Sequence, residues 1–430
     1  MRIKGNLKKF LASVVALTFI IGNLPMNLVK AAAEELSTET VQILATTDLH
    51  GRFVPYEYAR ATRSDGGLTQ IATLVEQERA KNANTVLVDN GDNIQGNYNH
   101  LFLNDEKNPM MLAVKEIGYD SFSLGNHEFN FGVDKLFQIT NQIKDNVKVL
   151  CANLYKGDER VFDAYTIKKL PNGVKVATIG VVTPHIDKWD GPNLVGYTPK
   201  NPTEEVAKVI QEIKAAGGAD VYVVTSHMGF NNEYGKGDSA KELAEANPDV
   251  DVIVMGHSHE AFAEKTAGNA ILIQPANNAG SLGKVELKLE KLNDGYVVKE
   301  KKGTLLKTTG VAENEKLALA LKSYDERAKS DASIVIGQLE GPSLADKNEI
   351  ADIPESLVRD QGITDLVNEV QIYNSKNHLK SQGIDINSGY MVSAAALFDA
   401  GSNMLSGDIK KSDISNIYKY DNKLYTVFIV

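Results

Sequence analysis

The chain has 430 residues, which is longer than one hydrophobic core usually serves, so we expect two domains or one large domain with an appendage. Hydrophobic residues make up 43% and charged residues 24% of the chain, a globular composition that excludes collagen-like and low-complexity classes. The net charge of -10 disfavours non-specific binding to nucleic-acid polymers, and a small anionic substrate would need local cations such as metal ions.

The first 33 residues have the pattern of a secretory signal peptide. Four basic residues come first: Arg2, Lys4, Lys8 and Lys9. An apolar run at 10–21 and three alanines at 31–33 follow, which predicts export, cleavage and a location outside the cell or at its surface. The alternative is a retained membrane anchor, which needs about 20 continuous apolar residues. Gly22, Asn23 and Pro25 interrupt the run, so stable membrane insertion after cleavage is not expected.

The region from residue 41 alternates short runs rich in Val, Ile and Leu with stretches of helical period, which predicts an α/β sheet buried on both faces. The predicted strands are 41–47, 85–89, 121–124, 147–152, 174–182, 221–226 and 252–255. The predicted helices are 68–81, 109–117, 135–143, 202–216 and 239–246. Beyond residue 255 the pattern predicts a hairpin of strands 271–274 and 283–289 around a turn at 277–280. Cys151, the only cysteine, follows an apolar run and is expected to be buried.

The sequence changes character at about residue 311. Segment 313–332 lacks Gly and Pro and carries apolar residues at helical spacing, which predicts a helix within a linker at 311–333. A second region follows at 334–430, with a predicted amphipathic helix at 363–373 and a strand pattern at 423–430. That last strand has no turn or cap after it, so we expect this domain to be incomplete.

Five predicted strands run directly into residues that can bind a metal ion. These residues are Asp48 and His50, Asp92, Asn126 and His127, His227, and His257 and His259. Ligands gather beyond the carboxyl ends of parallel strands, so these side chains can meet in space although they are far apart in sequence. A single histidine after a strand is more often a hydrogen-bonded loop residue, but five of the eight histidines fall at these ends. The other three, His100, His185 and His378, are assigned to surface or loop positions.

The kinds of ligand narrow the choice of metal. Imidazole, carboxylate and amide groups without a thiolate favour Mn, Zn or Fe over Cu(I) or an iron-sulfur cluster. Seven candidate ligands are too many for one ion, so we expect two divalent metal ions that share Asp92. His127 directly follows the ligand Asn126, and it is the candidate to donate a proton to the leaving oxygen or to stabilise its charge.

The spacing of the ligands predicts their local geometry. Asp48 and His50 are two residues apart, so they would lie on the same face of an extended segment, and so would His257 and His259. A glycine precedes three of the ligand positions: Gly91, Gly125 and Gly256. Such glycines allow a sharp turn and a close approach of the ions; ordinary turn formation is the alternative explanation, and both can be true.

These motifs resemble the calcineurin-like metallophosphoesterases, and within them they are most similar to the nucleotidase branch. The motifs are Asp48-x-His50, Gly91-Asp92-x-x-Gln95-Gly96, Gly125-Asn126-His127-Glu128 and Gly256-His257-x-His259, with His227 between the last two. The resemblance covers about residues 41–290. It implies a β-sandwich flanked by helices in a catalytic domain at 41–300, followed by an incomplete α+β nucleotidase substrate domain at 334–430.

The resemblance also implies two ligand sets and a catalytic residue. The first metal would be bound by Asp48, His50, Asp92 and His259, and the second by Asp92, Asn126, His227 and His257. His127 would be the catalytic histidine. Many 5'-nucleotidases pair this histidine with an aspartate three residues later, whereas Asn130 stands here, as in the 2',3'-cyclic-nucleotide 2'-phosphodiesterase/3'-nucleotidase subgroup. Asn130 and Trp189 are the candidate substrate contacts, and Trp189 is equally consistent with a ring that pins a loop.

The leading hypothesis is hydrolysis of 2',3'-cyclic nucleotides and nucleoside 3'-phosphates, for extracellular scavenging of nucleotides. A 5'-nucleotidase or a nucleotide-sugar hydrolase would share every metal ligand and remains an alternative. A non-catalytic surface binding module is an alternative of another class. The presence of all seven ligands weakens it, since a site that had lost its activity would be expected to lose ligands.

Overall fold

The computed structural model describes residues 38–386, 389–395, 397, 399–418 and 424–428. The predicted signal peptide at 1–33 lies outside these residues. Among the helices of the described part of the chain, none is both long and apolar enough to cross a membrane.

Two six-stranded sheets form the centre of the molecule. The first sheet contains, in spatial order, β17 (Gly295–Lys307), β16 (Ser281–Leu292), β1 (Thr38–Thr46), β4 (Thr85–Asp89), β5 (Ser121–Ser123) and β6 (Lys148–Leu150). The last four strands run parallel, and β16 pairs antiparallel with both β1 and β17.

The second sheet also has six strands, four of them parallel. It contains β14 (Phe262–Ala267), β15 (Ala270–Gln274), β13 (Val252–Met255), β12 (Val221–His227), β10 (Lys175–Val182) and β9 (Tyr165–Lys169). The four inner strands are parallel, and the two edge strands are antiparallel to their neighbours.

The two sheets pack face to face through a layer of aliphatic side chains. Ile43 and Val88 of the first sheet belong to one buried cluster with Val176, Val223 and Val254 of the second. The sandwich flanked by helices is therefore confirmed. The parallel strands fall into two sheets rather than the single sheet that periodicity alone indicates, because an apolar strand face has the same pattern whether a helix or another sheet covers it.

Helices cover the outer faces of both sheets. Those of the described sandwich region are α1 (Leu68–Lys81), α2 (Pro109–Ile117), α3 (Val133–Thr140), α4 (Ile186–Asp190), α5 (Pro202–Ala215), α6 (Ala240–Ala246) and α7 (Glu315–Ala332). Asn108 and Asn201 cap α2 and α5 by accepting backbone N–H groups, and each precedes a proline that suits the first helical position. The predicted helices agree closely, although α3 spans 133–140 rather than 135–143.

The hairpin predicted from strands 271–274 and 283–289 is wrong. β15 pairs with β13 and β14 in the second sheet, whereas β16 pairs with β1 and β17 in the first. The segment at 277–280 therefore carries the chain from one sheet to the other. Two short strands around a Gly/Asn turn have the same sequence pattern in either arrangement, so the pairing partner depends on the rest of the fold.

The predicted helix at 313–332 is confirmed as α7. It begins after Asn314, whose side chain accepts the N–H of Leu317 at 3.0 Å. Leu317 and Leu321 are buried in the cluster that covers the first sheet, and Asp325 accepts the hydroxyl of Tyr58 at 3.0 Å. The helix therefore packs on the sandwich along its length, and the division of the chain into domains stays a prediction.

A smaller unit follows α7. It contains β18 (Val335–Leu339), α8 (Gly362–Ser381), β19 (Gly407–Lys410) and α9 (Lys411–Ile417), and β18 pairs antiparallel with β19. The predicted helix at 363–373 is confirmed and is longer than expected. The strand predicted at 423–430 is not formed in its described part, 424–428, since no described residue pairs with this segment.

Short elements complete the described chain. They are strands β2 (Tyr56–Glu57), β3 (Thr62–Arg63), β7 (Leu154–Lys156), β8 (Glu159–Arg160) and β11 (Thr198–Pro199), and the 3-10 helices Asn99–Phe102, His127–Phe129, Gly191–Asn193 and Glu355–Leu357.

Candidate metal centre

The eight residues predicted to form the centre lie together at one edge of the sandwich. β1 leads into Asp48 and His50, β4 into Asp92, β5 into Asn126 and His127, β12 ends on His227, and β13 leads into His257 and His259. Both sheets supply residues, because the carboxyl ends of their parallel strands meet at this edge.

Two aspartates and three histidines form the middle of the cluster. His227 Nε2 lies 3.1 Å from Asp92 Oδ2 and 3.8 Å from Asp48 Oδ1. His259 Nε2 lies 3.3 Å from Asp48 Oδ1 and 3.1 Å from His50 Nε2. These contacts define two groups whose ligand atoms could hold a metal ion, one of Asp48, His50 and His259 and one of Asp48, Asp92 and His227.

The other residues of the cluster are the amide Asn126 and two histidines, His127 and His257. His257 Nδ1 lies 2.8 Å from Asn126 Oδ1, and its Nε2 lies 2.8 Å from Glu233 Oε2. The ring of His257 also stands 5.6 Å from that of His227. The backbone N–H of His127 donates to Asp92 Oδ1 at 2.8 Å, so all eight residues are linked through direct contacts.

Five of the candidate ligands have a left-handed backbone. The φ angles are 52° at Asp48, 44° at His50, 60° at Asp92, 69° at His257 and 56° at His259. Residues with a Cβ rarely adopt this conformation, and such strain concentrates at functional sites. The prediction that the two paired motifs lie on extended segments is therefore wrong. The left-handed turns direct His257 toward Asn126 and His259 toward His50.

Two glycines allow the ligands to pack this closely. A Cβ on Gly125 would lie 2.2 Å from Asp92 Oδ1, and one on Gly256 would lie 2.3 Å from Thr47 Oγ1 and 2.9 Å from Asp48 Oδ2. No side chain fits at these distances. Both glycines are therefore required by close approach.

The charges of the cluster oppose the effect of burial. Burial would raise the pKa of Asp48, but His227 and the hydrogen bond from His259 outweigh it and hold the pKa below its usual value. Burial acts on Asp92 in the same way, and the positive charge of His227 holds its pKa well below the usual value. Burial lowers the pKa of His50 to about 4. His227 behaves oppositely, because the two carboxylates overcome burial and raise its pKa to about 10.

His227 shows that the cluster suits a cation. Its Nδ1 lies 2.6 Å from the carbonyl oxygen of Asn90, which can only accept, so Nδ1 carries a proton and Nε2 faces the carboxylates. Nε2 is fully buried and has no aligned hydrogen-bond partner among the described residues. An imidazole nitrogen aimed between two carboxylates favours positive charge, which a proton or a divalent metal ion can supply. The residues therefore fit a metal ion.

A buried glutamate holds two of the ligand loops together. Glu128 accepts the N–H groups of Asp92 at 2.7 Å, Asn93 at 2.7 Å and Gly125 at 2.8 Å. Burial, followed by the negative charge of Asp92, raises the pKa of Glu128. Its carboxyl group fixes the position of Asp92 relative to the segment that carries Asn126.

The two candidate substrate contacts lie beside the cluster. Asn130 Oδ1 is 2.7 Å from His127 Nδ1, and Asn130 Nδ2 donates to Asp190 Oδ2 at 2.9 Å. Both polar ends of Asn130 are thus engaged by protein groups. Trp189 is half-buried, and its ring stands 5.3 Å from the ring of His257 and 5.4 Å from that of Tyr234.

The remaining predictions on single residues have separate outcomes. Cys151 is free and buried, as predicted, and burial raises the pKa of its thiol to about 12. His100 and His378 are exposed, as predicted, and His185 is half-buried next to Tyr234.

The sequence analysis did not predict the roles of four residues at the site. They are Asn90, Glu128, Asp190 and Glu233. Asn90 directly follows a predicted strand and Glu128 belongs to a quoted motif, so their positions carried a signal. Asp190 directly follows Trp189, one of the candidate substrate contacts. Glu233 lies in a loop without a pattern, and only the fold brings it to His257.

Comparison with known proteins identifies the family. The family model described as "Calcineurin-like phosphoesterase" matches residues 41–261, which contain every candidate ligand. The chain belongs to this family. The calcineurin-like phosphoesterases use divalent metal ions, in keeping with the groups of ligand atoms at the sandwich edge.

Individual relatives in the family carry nucleotide-related names. The "Trifunctional nucleotide phosphoesterase protein YfkN" of Bacillus subtilis (strain 168) is 28% identical over an alignment of 479 positions, gaps included. That alignment covers 99% of this chain and 31% of that protein. The "2',3'-cyclic-nucleotide 2'-phosphodiesterase/3'-nucleotidase" of Haemophilus influenzae is 34% identical over 259 residues, which cover 55% of this chain and 38% of that protein. This chain therefore spans about a third of the length of these two relatives.

A solved structure shares the fold. The crystal structure of the calcineurin-like phosphoesterase YfkN from Bacillus subtilis has a TM-score of 0.62 and 30% sequence identity. The match covers 68% of this chain and 99% of that one.

Proposed function

We propose that the protein hydrolyses 2',3'-cyclic nucleotides and nucleoside 3'-phosphates at a centre of two divalent metal ions. The observation that carries the proposal is the position of His227 Nε2, which is buried, has no aligned partner among the described residues and faces Asp48 and Asp92. The names of the relatives support the choice of substrate.

Each metal ion has a proposed set of four ligands. The first set is Asp48, His50, Asp92 and His259, and the second is Asp92, Asn126, His227 and His257. The contacts within each set support this division, since His50 lies against His259 and Asn126 lies against His257. Asp48, however, is the carboxylate common to both groups of ligand atoms that could hold a metal ion, so it competes with Asp92 for the bridging position.

Metal analysis of two variants separates these bridges. If Asp92 bridges, Asp92→Ala loses both ions, whereas Asp48→Ala retains one. The opposite result would assign the bridge to Asp48. A wild-type protein that binds a single ion per chain after dialysis against Mn²⁺ or Zn²⁺ would contradict the two-ion centre.

The chemistry divides between the ions and the protein. When bound, the ions would polarise the phosphoryl group and lower the pKa of a water molecule. The protein holds the ligands in position through strained turns and buried hydrogen bonds. His127 donates a proton to the leaving oxygen or stabilises the charge on it, and its backbone N–H keeps it beside Asp92.

A cleft next to the centre is the proposed place for the nucleoside. It has a volume of about 200 Å³, and its walls include His50, Arg52, Tyr98, Phe131 and Tyr418. The three aromatic rings offer apolar faces on which a base can stack. Arg52 is 7% exposed, and its Nη2 lies 3.4 Å from Oε2 of Glu57, which also lines the cleft, so an ion pair forms part of this wall.

Three substrates test the proposal. The purified protein, loaded in turn with Mn²⁺, Zn²⁺ and Fe²⁺, is assayed on 2',3'-cyclic AMP, 3'-AMP and 5'-AMP. We expect the first two to be hydrolysed faster than the third. A clear preference for 5'-AMP would instead favour a 5'-nucleotidase.

Two variants test whether the centre is catalytic at all. His127→Ala and Asp92→Ala should lose activity, and His378→Ala is the matched control because this histidine is exposed on α8. If all three variants retained wild-type activity, the protein would not use this centre, and a binding module would be the better description.

We also propose that the chain is exported and acts on extracellular nucleotides. The support is the charge and hydropathy pattern of residues 1–33. Fractionation of expressing cells with N-terminal sequencing of the product tests this. Recovery of the uncleaved chain from the cytosol alone would contradict it.

A further inference from the structure

A chain of hydrogen bonds leads away from the candidate catalytic histidine. His127 Nδ1 lies 2.7 Å from Asn130 Oδ1, and Asn130 Nδ2 donates to Asp190 Oδ2 at 2.9 Å. Asp190 is 4% exposed and ends α4. In this series of hydrogen bonds, Asn130 links Asp190 to His127.

The chemistry of His127, Asn130 and Asp190 determines which group donates and which accepts in each hydrogen bond. A carboxylate only accepts hydrogen bonds, so the side of the Asn130 amide that faces Asp190 must be the NH₂ group. The amide oxygen then faces His127, and its partner Nδ1 must carry a proton. With Nδ1 bound to Asn130, His127 Nε2 is the nitrogen that we assign to the leaving oxygen.

Asp190 fixes the orientation of the Asn130 side-chain amide, because it accepts the hydrogen bond from Nδ2. The oxygen and nitrogen of an asparagine have nearly the same shape, and the hydrogen-bond partners decide which way the group faces. A flipped amide would present NH₂ to His127 and favour a proton on Nε2 instead of Nδ1 in the neutral ring.

Asp190 is itself held in place. Asn193 Nδ2 donates to Asp190 Oδ1 at 3.1 Å and to the carbonyl oxygens of Phe129 at 3.1 Å and Asn130 at 3.0 Å. The 3-10 helix that carries Asn193 is thereby tied to the segment that carries His127 and Asn130.

We propose that Asp190 is a positioning residue that orients His127 through Asn130. The proposal rests on the proposed function, in which His127 protonates the leaving oxygen. As water adds to phosphorus, the P–O bond to the leaving group breaks with its electron pair on that oxygen. The ring begins this step with a proton on both nitrogens: the proton on Nε2 moves to the leaving oxygen, and the neutral ring that results keeps its Nδ1 proton, which donates to Asn130 Oδ1.

The leaving group provides the first test. The nucleoside of 3'-AMP is a poor leaving group, and its oxygen needs a proton when the P–O bond breaks. The p-nitrophenolate of p-nitrophenyl phosphate is a good leaving group and needs none. Asp190→Ala should lower kcat on 3'-AMP by roughly 10- to 100-fold, and should change kcat on p-nitrophenyl phosphate by less than about threefold. Asp187→Ala is the matched control, since it removes an exposed carboxylate from the same helix.

Further variants separate positioning from simple loss of structure. Asp190→Asn retains an oxygen that can accept from Asn130, so it should recover part of the lost activity on 3'-AMP. In the Asn130→Ala background, Asp190→Ala should cause little further loss, because the two residues act as one unit. Thermal unfolding of each variant measures its stability independently.

A spectroscopic measurement tests the geometry without turnover. In metal-free protein labelled with ¹⁵N-histidine, the signal that His127→Gln removes should show the Nδ1–H form in the wild type. That form should be lost or mixed in Asp190→Ala. An unchanged spectrum, or equal losses of kcat on both substrates, would overturn the inference. A wild-type protein inactive on both substrates would instead overturn the proposed function.

Discussion

Replacing Glu128 by glutamine tests whether this buried side chain holds the ligand loops together. Its two oxygens accept three short backbone hydrogen bonds, from Asp92, Asn93 and Gly125, at 2.7 to 2.8 Å. Glutamine has one oxygen, so it can serve only one side of this arrangement. Its NH₂ group would face the N–H groups on the other side, donor against donor.

The expected loss follows from these contacts. A hydrogen bond to a charged group contributes about 1.5 to 3 kcal/mol, and a buried N–H without a partner costs about 1 to 3 kcal/mol. At least one of the three bonds is lost, so Glu128→Gln should lower the free energy of unfolding by about 3 kcal/mol. Displacement of Asp92 should weaken metal binding by roughly 10- to 100-fold, as for other supporting residues of metal sites.

Urea unfolding of the metal-free protein, followed by circular dichroism, measures the first effect, and calorimetric titration with Mn²⁺ measures the second. Glu326→Gln is the control, because Glu326 is exposed on α7 and its ion pair with Lys322 spans 3.7 Å at the surface. If Glu128→Gln unfolded like the wild type and bound metal equally well, the carboxylate would not be the tie that the hydrogen bonds indicate.

Three further predictions concern the same edge of the sandwich. Burial raises the pKa of Asp89 from 3.8 to about 7. Between these pH values the folded protein keeps a proton on Asp89 that the unfolded chain has lost. The free energy of unfolding should therefore fall as the pH rises from about 4 to about 7. Asp89→Asn should remove that slope in urea unfolding at pH 5 and pH 8 with chelator present, and an unchanged slope would assign it to another group. His127→Ala should lower kcat by roughly 10²- to 10⁴-fold at unchanged metal content, because His127 is not a proposed ligand; loss of metal in this variant would show that it is one. Gly256→Ala forces a Cβ to 2.3 Å from Thr47 Oγ1 and should reduce both thermal stability and metal content, whereas Gly389→Ala, which meets no atom within 4 Å, should change neither.

Strand periodicity located most of the sandwich but not its division into two sheets. The runs at 85–89 and 252–255 were predicted with the bounds that β4 and β13 have in the structure. They belong to different sheets, because an apolar face records burial and not the identity of the covering layer. The false hairpin at 271–289 has the same cause, since a turn motif records a change of direction and not which strands become neighbours.

The candidate ligands were predictable because each follows a strand directly. Chemistry-bearing residues at five strand ends form a pattern along the chain, and the carboxyl ends of parallel strands meet in space. The supporting residues had weaker signals. Glu233 lies in a loop, and its Oε2 is 2.8 Å from His257 Nε2. The residues next to Glu233 in the sequence do not indicate that contact.

The sequence by itself determined which residues can bind metal and that they follow buried strands, because both properties are carried by residue type and by local order along the chain. Only the tertiary structure decided which of them touch. The left-handed turns at Asp48 and His257, the tie through Glu128 and the link from His127 through Asn130 to Asp190 depend on distances between segments far apart in sequence. Those distances arise when the two sheets pack, and packing is a property of the whole chain rather than of any segment within it.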